Sequence, residues 1–188
     1  MEEKGHEGGC RNKGIEYPID CEYYYFIDSD DYLYTNESLN IMFKNVINDK
    51  PDILLFNIMQ LKKDKYIPVL SKPFTTQSDE LALIYGSACT KIIKSDKIIK
   101  FQPGCDHAAD TLQWLMILDK EPSIKQIDDF LYLYNRNNTN SLTINGKYEQ
   151  DTEKFYTHLN EFFKRCENYW VKKSIEKRIN LYKSGKKL

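Results

Sequence analysis

Three carboxylates, Asp28, Asp30 and Asp31, stand within four residues in the stretch FIDSDDYL at positions 26–33. The preceding EYYYFI is aromatic and β-branched and reads as a strand over 22–27. Carboxylates this close repel one another and do not enter a core unpaired. They therefore belong at the carboxyl end of the strand, where open α/β sheets bind ligands. Asp-x-Asp there offers hard oxygen ligands to Mg²⁺ or Mn²⁺, ions that keep positions open to phosphate oxygens. The competing reading is an acidic turn in which an Asp caps the helix beginning near residue 36.

The elements that must position these groups alternate between α and β. Residues 10–16 form a short helix. Leu39, Met42, Phe43, Val46 and Ile47 follow helical spacing, with Asn36 as N-cap and Pro51 as stop. DILLFNI at 52–58 is a continuous apolar run, the mark of a strand buried on both faces. Further extended segments fall at 65–70, 86–94 and 124–134. A helix over 106–119 carries Ala108, Leu112, Leu115 and Met116 on one face, and from residue 147 onward the pattern is helical. Two regions result: a sheet-containing domain over 1–146 and a helical C-terminal extension over 147–188.

Composition narrows the function. The chain has 188 residues, 41% hydrophobic, with a formal net charge of −1. Disorder is excluded by the apolar fraction, and the balance of charge argues against nucleic acid as a partner. The five cysteines are scattered and form no CxxC pair, which fits a reducing, cytoplasmic setting. Residues 171–188 hold seven Lys/Arg and one Glu, a charge of +6, so the rest of the chain sums to −7. That basic tail, with Ile175 and Ile179 between its charges, reads either as a solvated helix end or as a peripheral contact with an inner membrane surface.

GGCRNKGIEYPIDCEYYYFIDSDDYL resembles the middle of a family 2 glycosyltransferase of the GT-A fold. There an Ala-Arg-Asn-x-Gly helix precedes a strand ending in Asp-Ser-Asp-Asp. Here Cys10 stands in place of the Ala, while Arg11, Asn12 and Gly14 are present. PDILLFNI, GSACTKIIKSDKI and DDFLYLYNRNNTNSLT resemble, in order, the family's next strand, its acceptor-side segment and its closing element. The similarity spans about residues 8–143. It implies an α/β fold: a partial GT-A, nucleotide-diphospho-sugar transferase-like mixed sheet flanked by helices.

The implied activity is inverting transfer of a sugar from a nucleotide-sugar donor to a hydroxyl on a glycan or lipid-linked acceptor. Asp28 and Asp30 match the metal-binding Asp-x-Asp and would hold Mn²⁺ or Mg²⁺ against the donor diphosphate. Asp31 would cap the next helix or support the site. Arg11 would contact the diphosphate, or else form a surface salt bridge. Asp110 matches the base, with Ala109 where the family has Glu. Asp106 is the fallback base, with helix N-capping as its competing role. His107, Trp114 and Arg136 are acceptor-side candidates. Trp114 could stack on a sugar or be a core aromatic, His107 could be a solvated first-turn residue, and Arg136 could grip a phosphate or be a loop arginine with no role.

The family normally opens with a Val-Ile-Ile-Pro strand and an Asp-Asp-Gly-Ser turn, which this sequence does not contain. The expectation is a chain that turns over poorly by itself, with a second polypeptide or a longer gene supplying those strands. The alternative function is a catalytically inactive, transferase-like binding or assembly module.

Overall fold

The computed structural model describes residues 7–69, 73–81, 85–103, 105, 108–138 and 149–184. In chain order the elements are α1 (Glu7–Glu16), β1 (Tyr23–Tyr25), β2 (Tyr32–Leu33), α2 (Ser38–Asp49), β3 (Ile53–Lys62) and β4 (Lys65–Val69). A 3₁₀ turn, Ala88–Thr90, leads into β5 (Lys91–Lys94), followed by α3 (Ala109–Leu118), β6 (Ile124–Asn135), α4 (Glu149–Arg165) and α5 (Tyr169–Lys183). This is the mixed sheet flanked by helices that the sequence implies.

β3 is central, as its continuous apolar run requires. The strand order is β1-β5-β3-β6-β2, with β4 alongside the second half of β3. β3 and β6 are parallel, while β1 pairs antiparallel with β5 and β5 antiparallel with β3. β1, β3 and β6 therefore point the same way, and their carboxyl ends share one edge. Alternate residues of β3 supply opposite faces. Ile53 and Leu55 join the core under α3, α4 and α5, whereas Leu54 and Phe56 join the core under α2. The β3–β6 register slips between Leu55 and Ile58. The buried Asn57 sits in that irregularity and donates from Nδ2 to the Asp128 carbonyl at 2.8 Å, pairing a group the ladder leaves over.

Several expected details shift. β1 is shorter than the 22–27 run, because only Tyr23–Tyr25 pair with β5. Glu37, not Asn36, is the N-cap of α2, and the Ser38 hydroxyl instead accepts from the Thr35 N–H at 3.0 Å. Lys50, in the left-handed conformation at φ 45°, ends that helix just ahead of Pro51. Of the six apolar positions on α2, Met42 and Val46 are buried and Ile41 is partly so; Leu39, Phe43 and Ile47 are exposed. Those three form one i, i+4 row on the outer side of the stripe, and the sheet reaches only the inner row.

The C-terminal helices belong to the main core. Phe155, Leu159, Phe162, Val171, Ile175 and Ile179 share one apolar cluster with Ile53, Trp114 and Leu115. The division at residue 146/147 therefore does not separate two cores. Ile175 and Ile179 are 0% and 7% exposed, so the apolar face of α5 packs into the protein interior and these two side chains are not available to a membrane surface. Among the described residues no helix is long and apolar enough to cross a membrane.

Asp119, at the end of α3, ties these helices down. Its Oδ1 accepts from Cys166 Sγ at 3.1 Å and from the N–H groups of Glu167 and Asn168 at 3.0 and 2.8 Å. The Asn168 side chain in turn caps α5 by accepting from the N–H groups of Trp170 and Val171. Burial raises the proton affinity of Asp119, but the hydrogen bonds from Asn168, Cys166 and Glu167 outweigh it and hold the carboxyl below its ordinary range. A carboxyl depressed in the folded state stabilises above its unfolded pKa, and that contribution is lost as pH falls through the folded one. Asp119→Asn should therefore cost about 1–3 kcal/mol at pH 7. The gap from wild type should narrow toward acid, and urea unfolding at pH 7 and near pH 3 measures it. Equal gaps at the two pH values would show that the carboxylate charge has no part in the anchor.

Candidate active site

The acidic stretch after β1 forms a turn in which the Asp31 N–H donates to the Asp28 carbonyl at 3.1 Å. It lies at the shared edge formed by the carboxyl ends of β1, β3 and β6. β6 locks it there. Tyr132 donates from its hydroxyl to Asp31 Oδ2 at 2.5 Å, and the Asn135 N–H donates to Asp31 Oδ1 at 2.7 Å. Asp31 thus anchors the turn to the sheet and does not cap α2, which settles its two expected roles in favour of support. Burial holds its carboxyl above the ordinary range despite those two donors.

Arg11 gathers the other carboxylates. α1 brings it to the turn and is held by two bonds between the Asn12 amide and the Phe101 backbone, both 2.8 Å. Close approach is possible because Gly8 faces Phe101, where a Cβ would lie 3.2 Å from the Phe101 Cβ. The guanidinium donates from Nη2 to Asp28 Oδ1 at 2.7 Å and also to Glu7, and from Nη1 to Asp110 Oδ1 at 2.5 Å. It also lies over the Phe101 ring, 5.4 Å from the centroid. Its side chain is only 8% exposed, so it is not a surface salt bridge. Burial opposes its charge, but Asp110, Glu7 and Asp28 more than offset that and keep it protonated.

Asp110 stands in the first turn of α3 and is 21% exposed. Its Oδ2 accepts from the Ala88 N–H at 2.9 Å. Arg11 therefore joins the Asp28 turn to the start of α3, and Asp28 and Asp110 share one guanidinium. Asp30 is half-buried and accepts from Asn138 Nδ2 at 2.7 Å, so the segment following β6 also reaches the turn.

Asp28 and Asp30 are the two carboxylates of the turn that each keep an oxygen for a further ligand. Asp28 Oδ2 and Asp30 Oδ1 form no hydrogen bond within the described residues. Among those residues no three His, Cys, Asp or Glu side chains are arranged to hold a metal ion. Two carboxylates, with water and phosphate completing the shell, is a coordination that Mg²⁺ and Mn²⁺ accept.

The remaining sequence candidates fare differently. Trp114 is fully buried, packed 5.7 Å from Phe74 with the Lys91 ammonium 5.0 Å over its ring. It has no face to offer a sugar, which corrects that reading. The Arg136 backbone N–H donates to the Leu61 carbonyl and its guanidinium lies 5.9 Å from the Tyr134 ring centroid; it forms no bond to Asp28, Asp30 or Asp110. Asp106 and His107 lie outside the described residues. The sequence assigns no role to Glu7, Lys91, Tyr132 or Asn138, although the last three lie inside segments that carry the resemblance. Glu7 was legible as the i, i+4 partner of Arg11, but the helix was read as beginning at residue 10. Lys91 and Tyr132 depend on strand register, and Asn138 on the path of the chain after β6.

No protein-family model matches the chain, and no curated protein does. Solved structures do. The S. aureus TarS structure for residues 1–349 in complex with UDP-GlcNAc matches at a TM-score of 0.73 and 19% identity, over 99% of this chain and 56% of that one. The fold is similar to that of TarS. A TarS structure in complex with UDP matches at 0.60 and 15% identity, over 99% and 74% of the two chains. A longer TarS structure matches at 0.63 and 20% identity, over 87% of this chain. The chain spans 28% of that longer TarS chain and a little over half of the UDP-GlcNAc complex. At these identities the shared property is the fold.

Proposed function

We propose that the chain binds a nucleotide-sugar and transfers the sugar, with inversion, to an acceptor hydroxyl on a glycan or lipid-linked molecule. The observation that carries this reading is Arg11, whose single guanidinium holds Asp28 and Asp110 together at the edge of the sheet. A second support is the likeness of the fold to a protein solved with UDP-GlcNAc and with UDP.

In this reading Asp28 and Asp30 hold Mn²⁺ or Mg²⁺. When bound, that ion supplies positive charge to the leaving diphosphate. Asp110 accepts the proton of the attacking acceptor hydroxyl. Both its oxygens already accept one hydrogen bond, but each carboxylate oxygen has a second lone pair to offer. Arg11 and the Ala88 N–H fix the carboxylate plane. Arg11 also keeps Asp28 and Asp110 from repelling one another across the site.

Calorimetric titration with UDP and Mn²⁺ tests the donor half. Wild type should bind UDP in a Mn²⁺-dependent manner, and Asp30→Asn should weaken that binding by at least about tenfold, since losing even an outer-shell partner of a metal site costs about 10–100-fold. Equal heats for the two proteins would sink the metal assignment. Mn²⁺-dependent UDP binding without any sugar transfer or donor hydrolysis would leave a binding module.

A further inference from the structure

Lys91 is the first residue of β5 and is 2% exposed. An ammonium is rarely buried without a partner. Its Nζ donates to the Ser87 carbonyl and lies over the Trp114 ring. The Ser87 carbonyl and the Ala88 N–H are two ends of one peptide group, and that N–H donates to Asp110 Oδ2. The chain of contacts therefore runs Trp114, Lys91, Ser87–Ala88 peptide, Asp110. We propose that Lys91 is a positioning residue: its ammonium orients and polarises the Ser87–Ala88 peptide, so that the Ala88 N–H holds Asp110 in its working orientation.

Electrostatics favour this arrangement. A cation on the carbonyl oxygen draws electron density along the amide and strengthens its N–H as a donor, and linked hydrogen bonds polarise one another in a low-dielectric interior. The Thr90 hydroxyl donates to the same carbonyl at 2.8 Å and its N–H at 3.4 Å, so the Ser87 carbonyl is satisfied even without the lysine. Stability alone thus gives Lys91 little reason to be there. Burial pushes its ammonium down to about 8, the nearby Asp110 only partly offsetting it. A buried cation maintained at such expense is expected where it serves a site. Trp114, which cannot touch a sugar, acquires a role as the aromatic floor under that cation.

The inference rests on Asp110 acting as base, and its test separates the two. Lys91→Met keeps the length and apolar bulk of the side chain and removes the charge. In ¹⁵N-labelled protein the Ala88 amide proton should move upfield in Lys91→Met, while amides of α4 and α5 stay in place. The thermal midpoint should be equal to or above that of wild type. The kcat for sugar transfer, followed by mass spectrometry, should fall about tenfold, equivalent to about 1.4 kcal/mol, with donor KM within about twofold. Lys91→Gln retains an N–H donor without the charge and should lose rate like Lys91→Met. An unmoved Ala88 amide overturns the proposal. So does an unchanged kcat in Lys91→Met alongside a crippled Asp110→Asn. If Asp110→Asn itself retains full rate, the base assignment falls, and the amide shift still decides whether the lysine acts on the peptide.

Discussion

Arg11→Met should destabilise the fold by about 3 kcal/mol, the lower end of what breaking a buried ion pair costs. The lower end applies because the partners are not equally enclosed: the Arg11 side chain is 8% exposed, but Asp110, Asp28 and Glu7 are 21%, 31% and 43% exposed. Removing the guanidinium leaves three carboxylates facing one another with solvent screening only part of the repulsion. Chains of this length lose about 2–4 °C of thermal midpoint per kcal/mol, so the drop should be roughly 10 °C. The deficit should also shrink on acidification. Acid neutralises carboxylates, so the repulsion left by removing the guanidinium is relieved as pH falls. Glu7→Gln, removing the most exposed partner, should cost less than about 1 kcal/mol. Urea unfolding of the two variants at pH 7 and pH 4 measures both effects. A pH-independent loss in Arg11→Met would mean that packing against Phe101, not charge, is what Arg11 provides.

How legible the molecule was depended on which physical signal each residue carried. β3 was readable because an uninterrupted apolar run of its length has few places to go other than a sheet interior covered on both sides. The turn at Asp28–Asp31 was readable because adjacent carboxylates do not enter a core unpaired, and the one that is buried, Asp31, is paired by the Tyr132 hydroxyl and the Asn135 N–H. Arg11 and Asp110 came from resemblance in motif order; nothing in their local spacing says that 99 residues of chain bring them together. Of the two roles open to Trp114, sugar stacking and core packing, the second holds for a reason visible in the sequence. LQWLMIL has apolar residues all round the helix, and such a helix is enclosed on every side, so a tryptophan there was never free to meet a ligand. Ile175 and Ile179 show an ambiguity that pattern cannot resolve, since a stripe of isoleucine between lysines suits a bilayer or a protein core equally. Only the packing of α5 against α4 and the sheet distinguishes them. Lys91 is one of four lysines in KIIKSDKIIK. Which of them is buried is decided by β5 pairing with β3, with Lys91 opposite Leu55, and by Trp114 lying beneath it. Both are long-range facts.

Asp110→Asn should separate catalysis from binding. A general base contributes about 10²–10⁴ in rate, and the amide removes the proton acceptor while nearly preserving shape. The rate of sugar transfer should fall at least 100-fold, with Mn²⁺-dependent UDP affinity within about threefold of wild type, because Asp110 contacts neither candidate metal carboxylate directly. Asp28→Asn should behave in the opposite sense, weakening UDP and Mn²⁺ binding first. The contrast matters because both residues bond to the same guanidinium. If Asp110 mattered only as a counter-ion for Arg11, the two substitutions would perturb Arg11 alike and would lower binding and rate together. A loss confined to kcat in one and concentrated in binding in the other requires two distinct roles within one cluster. Parallel losses in both would reduce Asp110 to a structural partner of Arg11 and leave the site without a base.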